Sequence, residues 1–99
     1  MMYKIKRDKF YASRGSYSKI YQIKCSFCKT NITKYQKDGP GIIKRMYHDR
    51  MFDIECQDVS GKLNCPNCKA MIGVNYIYKP ENRLAYRLFA GSISKSIIK

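Results

Sequence analysis

Cys25-Ser26-Phe27-Cys28 and Cys65-Pro66-Asn67-Cys68 repeat one spacing, with 36 residues between the pairs. A Cys-x2-Cys turn presents two thiolates from one tight bend. Two such turns supply the four soft ligands of a tetrahedral metal site. Lys29 and Lys69 follow the two pairs at the same offset, where an ammonium group offsets thiolate charge. One structural zinc is the expected occupant, because four thiolates leave no open position for water or substrate. An iron–sulfur cluster, disulfides, a thioredoxin-like redox pair and plain buried cysteines are the competing readings of the same spacing. The gap exceeds the ~15–20 residues of the compact four-cysteine pattern. It leaves room for an insertion at about residues 38–62.

A chain of 99 residues makes one small domain and excludes barrels and doubly wound sheets. Such a domain buries only roughly 60–65% of its unfolded surface. A metal contributing on the order of 10 kcal/mol of apparent folding energy is therefore the staple this chain needs.

Around the cysteines the pattern is mostly that of strands. Residues 19–24 and 29–36 flank the first pair as two arms of a hairpin, rich in Ile, Tyr and Thr. Residues 71–78 form a strand after the second pair. Lys79-Pro80-Glu81-Asn82 then turns the chain into an alternating stretch, 83–90. Asp38-Gly39-Pro40-Gly41 is a breaker. After it, Ile42, Ile43, Met46 and Tyr47 recur at helical spacing, which predicts a short amphipathic helix over 42–51. Phe52 to Cys56 reads as a short strand. Residues 1–18 read as a loosely ordered basic arm with a helical turn near 5–11, residues 19–90 as the domain, and 91–99 as a tail.

Two knuckles, each in a β-hairpin, with a further strand alongside, resemble a zinc ribbon. The resemblance covers residues 19–90. The expected fold class is thus a small β-rich α+β domain: an antiparallel sheet carrying two zinc knuckles, with a short helical insertion between them. The segment Tyr35-Gln-Lys-Asp-Gly-Pro-Gly-Ile-Ile-Lys-Arg-Met-Tyr-His-Asp-Arg50 is also similar to one in small uncharacterised bacterial zinc-ribbon proteins. Zinc ribbons serve in ribosomal proteins, transcription machinery and protein-docking modules, so the resemblance implies binding rather than catalysis.

Charge points the same way. The chain carries 20 Lys and Arg against 7 Asp and Glu, a net +13. Solubility alone needs a net charge of only about 2–8. The excess is uneven: +6 over residues 1–24, +4 over 25–50, −1 over 51–78 and +4 over 79–99. A basic surface interleaved with nine Tyr suits nucleic acid, RNA in preference to DNA, with cations on phosphates and rings on bases. The expected contacts are Lys4, Lys6, Arg7, Lys9 and Arg14 on the arm, Lys44, Arg45 and Arg50 on the predicted helix, and Arg83 and Arg87 on the last hairpin. Gly39-Pro40-Gly41 ahead of that helix is a weaker candidate for phosphate. A protein partner with an acidic surface is the alternative occupant.

Catalytic patterns are missing. His48 is the only histidine and is expected on the polar surface of the helix. Cys56, the fifth cysteine, is expected as a small buried side chain beside Phe52 and Ile54. Neither pairs with a nucleophile or a base, so no enzyme and no small-molecule substrate are expected. No secretory h-region opens the sequence, and no apolar run approaches the ~20 residues of a membrane span. A reducing cytoplasmic setting without membrane contact is the expectation.

Overall fold

The computed structural model describes residues 5–6, 8–13, 15, 18–39 and 41–98. They form two antiparallel sheets and one short helix, α1 (Lys9–Ser13). Nine strands follow α1 in chain order: β1 (Ser18–Cys25), β2 (Asn31–Asp38), β3 (Arg45–Tyr47), β4 (Met51–Phe52), β5 (Gln57–Val59), β6 (Lys62–Asn64), β7 (Met71–Tyr78), β8 (Arg83–Leu88) and β9 (Ile93–Ile97). The first sheet has the order β4-β2-β1-β9 and the second β3-β8-β7-β6-β5.

Each cysteine pair closes one hairpin, the first between β1 and β2 and the second between β6 and β7. Next to the knuckles the two hairpins pair in the same register at an offset of 40 positions: Gln22↔Lys34, Ile23↔Thr33 and Lys24↔Asn31 correspond to Lys62↔Val74, Leu63↔Gly73 and Asn64↔Met71. A bulge falls between Ile23 and Lys24 in one and between Leu63 and Asn64 in the other. A bulge sharpens local twist and re-aims the residues after it, here the first cysteine of each knuckle. Ile23, Ile32, Leu63 and Ile72 stand at equivalent positions and are all fully buried. Together with Cys25, Tyr35, Met46, Met51, Cys65 and Tyr86 they make one core to which both sheets contribute.

The predicted helix over 42–51 does not form. That stretch is β3, a 3-10 turn (His48–Arg50) and β4. Strand pairing overrides the short-range period, as it does where tertiary contacts outweigh propensity. Arg45, Met46 and Tyr47 pair with Arg87, Tyr86 and Ala85 of β8. Met46 is fully buried, whereas Ile42, assigned to the same helical face, is 73% exposed. The Tyr47 backbone N–H donates to the Tyr35 hydroxyl at 2.9 Å, a bond an α-helix would not permit. The predicted strand over Phe52–Cys56 is also shortened. β4 ends at Phe52, and Asp53 turns the chain with φ of 46°.

Both ends of the described chain belong to the fold. Residues 93–97, read as part of a tail, are β9 and pair with β1 from Cys25↔Ile93 to Tyr21↔Ile97. The helical turn expected near 5–11 lies at α1. Asp8 caps it: Oδ1 accepts the N–H groups of Phe10 and Tyr11, both at 3.1 Å.

Candidate metal centre and basic surface

Each knuckle is built from its own backbone. The Cys25 N–H donates to the Thr30 carbonyl and the Lys29 N–H returns to the Cys25 carbonyl, both at 2.9 Å. In the second knuckle the same bonds join Cys65 to Ala70 at 2.9 Å and Lys69 to Cys65 at 3.1 Å. Lys29 and Lys69 both adopt left-handed backbone, φ 66° and 65°. That conformation closes the loop and aims both thiols of a pair to one side.

The four sulfurs meet between the two knuckles, all within 4.8 Å of one another. Cys25 Sγ lies 3.6 Å from Cys68 Sγ, and Cys28 Sγ 3.5 Å from Cys65 Sγ. Four sulfurs at ~2.3 Å from a central ion stand about 3.8 Å apart, so the cluster has the dimensions of a tetrahedral metal site. Cys25 and Cys65 are fully buried, Cys28 is half-buried and Cys68 is exposed. Hydrogen bonding with Thr30, then Asn67, pulls the Cys28 thiol down to about 5. At Cys68 the Ala70 backbone N–H favours the thiolate, but burial and the neighbouring sulfurs outweigh it and push the thiol up to about 12. Four like charges in this space require a cation among them. The four predicted ligands are thus placed to hold a metal ion.

Cys56 stays outside this cluster, half-buried against the core, and burial pushes its thiol up to about 11. Ile54, expected beside it in the interior, is 57% exposed. His48, expected on a helix surface, is half-buried instead. Its ring stacks on Tyr86 with centroids 4.5 Å apart, and its Nε2 is buried without a hydrogen-bond partner among the described residues.

The predicted phosphate contacts divide into three groups. Lys4, Arg7 and Arg14 lie outside the described residues. Arg50 and Arg83, expected at the surface, are buried at 1% and 6% exposure. Arg50 donates through Nη2 to Asp8 Oδ1 at 2.6 Å and through Nε to Asp38 Oδ2 at 2.9 Å, with Asp49 at 3.5 Å. Arg83 pairs with Asp49 at 2.8 Å and Glu81 at 3.0 Å, and its guanidinium lies 3.9 Å from the Phe10 ring centroid and 3.7 Å from that of Tyr47. An arginine enters a core only when paired, and these two have four carboxylates between them.

Lys6, Lys9, Lys44, Arg45 and Arg87 are exposed or half-exposed. Lys6 donates to the Asp49 carbonyl at 2.5 Å and its backbone N–H to Gln36 Oε1 at 2.7 Å, which ties the arm to β2. Lys9 lies over the Phe10 ring. Arg45 donates through Nε to the Tyr76 hydroxyl at 3.0 Å and lies 4.0 Å from the Tyr78 ring centroid. Register places Arg45, Arg87, Val74 and Lys62 in one row across β3, β8, β7 and β6. The linear sequence hid Lys62, Tyr76 and Tyr78 from the basic surface, because only the pairing brings them to it. Beside Arg45, between β2 and β3, opens a cavity of about 320 Å³ lined by Lys37, Ile42, Lys44 and Tyr47 among others.

No helix among the described residues is long and apolar enough to cross a membrane. No protein-family model, curated protein or solved structure matches this chain.

Proposed function

We propose that this chain is a nucleic-acid-binding protein, RNA in preference to DNA, whose two sheets are joined by one structural zinc. One observation supports the binding role above the others: the pairing of most acidic residues with two buried arginines. Arg50 and Arg83 engage Asp8, Asp38, Asp49 and Glu81. Four of 7 acids are thereby taken up by two of 20 cations, which leaves 18 cations against 3 acids over the rest of the chain. The protein concentrates four carboxylates on two of its own arginines, and its other cations keep few acids to offset them. Such a field favours a polyanion.

Zinc is favoured for the metal by four cysteine ligands in a closed tetrahedral arrangement. Its part is structural: two ligands come from each hairpin, so the ion ties the hairpins together. Native mass spectrometry of protein purified under reducing conditions, before and after nuclease, tests both halves. One bound zinc and nuclease-sensitive RNA are expected, with log K falling linearly as log salt rises. No RNA binding at low salt would overturn the function. A mass lowered by disulfide formation would overturn the metal.

A second reading rests on Ile77 and Leu84, which face each other across β7 and β8 and are 54% and 52% exposed. An apolar pair in this position suits a protein partner. A complex that survives nuclease would favour that reading.

A further inference from the structure

We propose that a single strand of RNA lies along the solvent-reached cationic row of the second sheet, with its phosphates on Arg45, Arg87 and Lys62 and a base on Tyr76. The inference rests on the nucleic-acid reading above and names its site and form of ligand.

Register alone defines the face. Arg45 stands opposite Arg87, Arg87 opposite Val74, and Val74 opposite Lys62. Partners across a sheet point the same way, so three cations share one row without a carboxylate in it. Adjacent strands lie about 5 Å apart, and like charges directly opposite weaken the pairing they sit on. The free protein carries that repulsion, and a bound phosphate would relieve it. Among the described residues Arg87 and Lys62 have no carboxylate partner. Arg45 is held in place by uncharged groups, the Tyr76 hydroxyl and the Tyr78 ring, so its charge stays uncancelled.

The next row supplies the rings. Tyr47, Ala85 and Tyr76 are aligned across β3, β8 and β7. Tyr47 is engaged with Arg83 and Tyr78. The Tyr76 ring has no aromatic or cationic partner stacked on it among the described residues, and the side chain is half-exposed. A ring beside a row of cations suits an unpaired base next to its phosphates. A duplex major groove instead takes a helix or a two-stranded ribbon. The one described helix, α1, has five residues and is tied to the fold through Asp8.

The test is fluorescence anisotropy with the zinc-loaded full chain and a labelled 12-nucleotide single-stranded RNA of mixed sequence. The wild type is compared with Arg87→Gln, Tyr76→Leu and, on β9 of the other sheet, Lys95→Gln. Arg87→Gln is expected to weaken binding and to reduce the salt slope by about 0.7. Tyr76→Leu is expected to weaken binding by about 5-fold or more. Lys95→Gln is expected to change neither quantity. Zinc content and circular dichroism confirm that each variant is folded. Equal losses in Arg87→Gln and Lys95→Gln would overturn this site while leaving RNA binding intact. Duplex RNA or poly-L-glutamate bound as tightly as the single strand would overturn the form of ligand. Absence of RNA binding by the wild type would instead remove the underlying reading.

Discussion

Arg50 Nη2 and Asp8 Oδ1 meet at 2.6 Å across 42 positions of sequence. Arg50 is 1% exposed and also holds Asp38, itself 4% exposed, so the contact ties the N-terminal arm to the end of β2. Losing the guanidinium would leave the buried Asp38 carboxylate without its cation, with only Ser18 Oγ and Gln36 Nε2 donating to it among the described residues. Arg50→Ala is therefore expected to destabilise the protein by about 3–5 kcal/mol. Asp8→Asn, at a half-exposed partner, is expected to cost well under half of that. Urea denaturation of both variants checks the ranking.

Acid should act on the same contact. The hydrogen bond from Arg50 holds the Asp8 carboxyl down to about 2, against an ordinary value of 3.8. A carboxylate with a lowered folded pKa stabilises fully above its unfolded value, and that stabilisation disappears as pH falls toward the folded one. The contribution is expected to be intact at pH 5 and to fade between about pH 4 and 2. Wild type and Asp8→Asn should thus differ in melting temperature at pH 5 and converge near pH 2. A constant difference across that window would assign the effect to something other than ionisation.

The cysteines should separate cleanly by role. Cys65→Ser removes a fully buried ligand and is expected to abolish stoichiometric metal binding and cooperative unfolding together. Cys56→Ser lies outside the cluster and is expected to keep the metal, with at most a small loss of stability. Metal analysis after gel filtration, alongside thermal melts, distinguishes the two.

Gly73 is fixed by space. A Cβ built there falls 2.6 Å from the Arg87 carbonyl oxygen, which is backbone and cannot swing aside. Gly73→Ala is expected to destabilise by about 1–3 kcal/mol and to shift β8 at Arg87. Amide chemical shifts of residues 85–89 would report the displacement; an unchanged spectrum and stability would show that the strands can accommodate the methyl.

What the sequence made legible follows the range of the forces involved. The knuckles, the β1–β2 hairpin and the β7–β8 turn depend on neighbours, and their spacing and turn residues announced them. The stretch 42–51 depends on partners far away. Met46 is buried because Tyr86 pairs with it, and Arg50 because Asp8 and Asp38 reach it. Within its own ten residues, Arg50 is indistinguishable from a solvated cation. Likewise β9 has a polar, alternating sequence that reads as a tail until β1 offers it an edge. The matching offset between hairpins was present in the chain as two equal cysteine spacings, but the shared bulges and left-handed lysines appear only in three dimensions.

The seat of β9 on β1 has a kinetic meaning. The first sheet begins at residue 18 and is completed only by residues 93–97. During synthesis, β1 and β2 emerge early with one edge unpaired, and Cys25 and Cys28 wait for Cys65 and Cys68 to complete their ligand set. Contacts of such long sequence separation make folding slow. Cys65 and Cys68 precede β9 by about 25 residues, so the thiol set is complete before the open edge of β1 is covered. That interval is when this chain is most vulnerable to edge-to-edge aggregation.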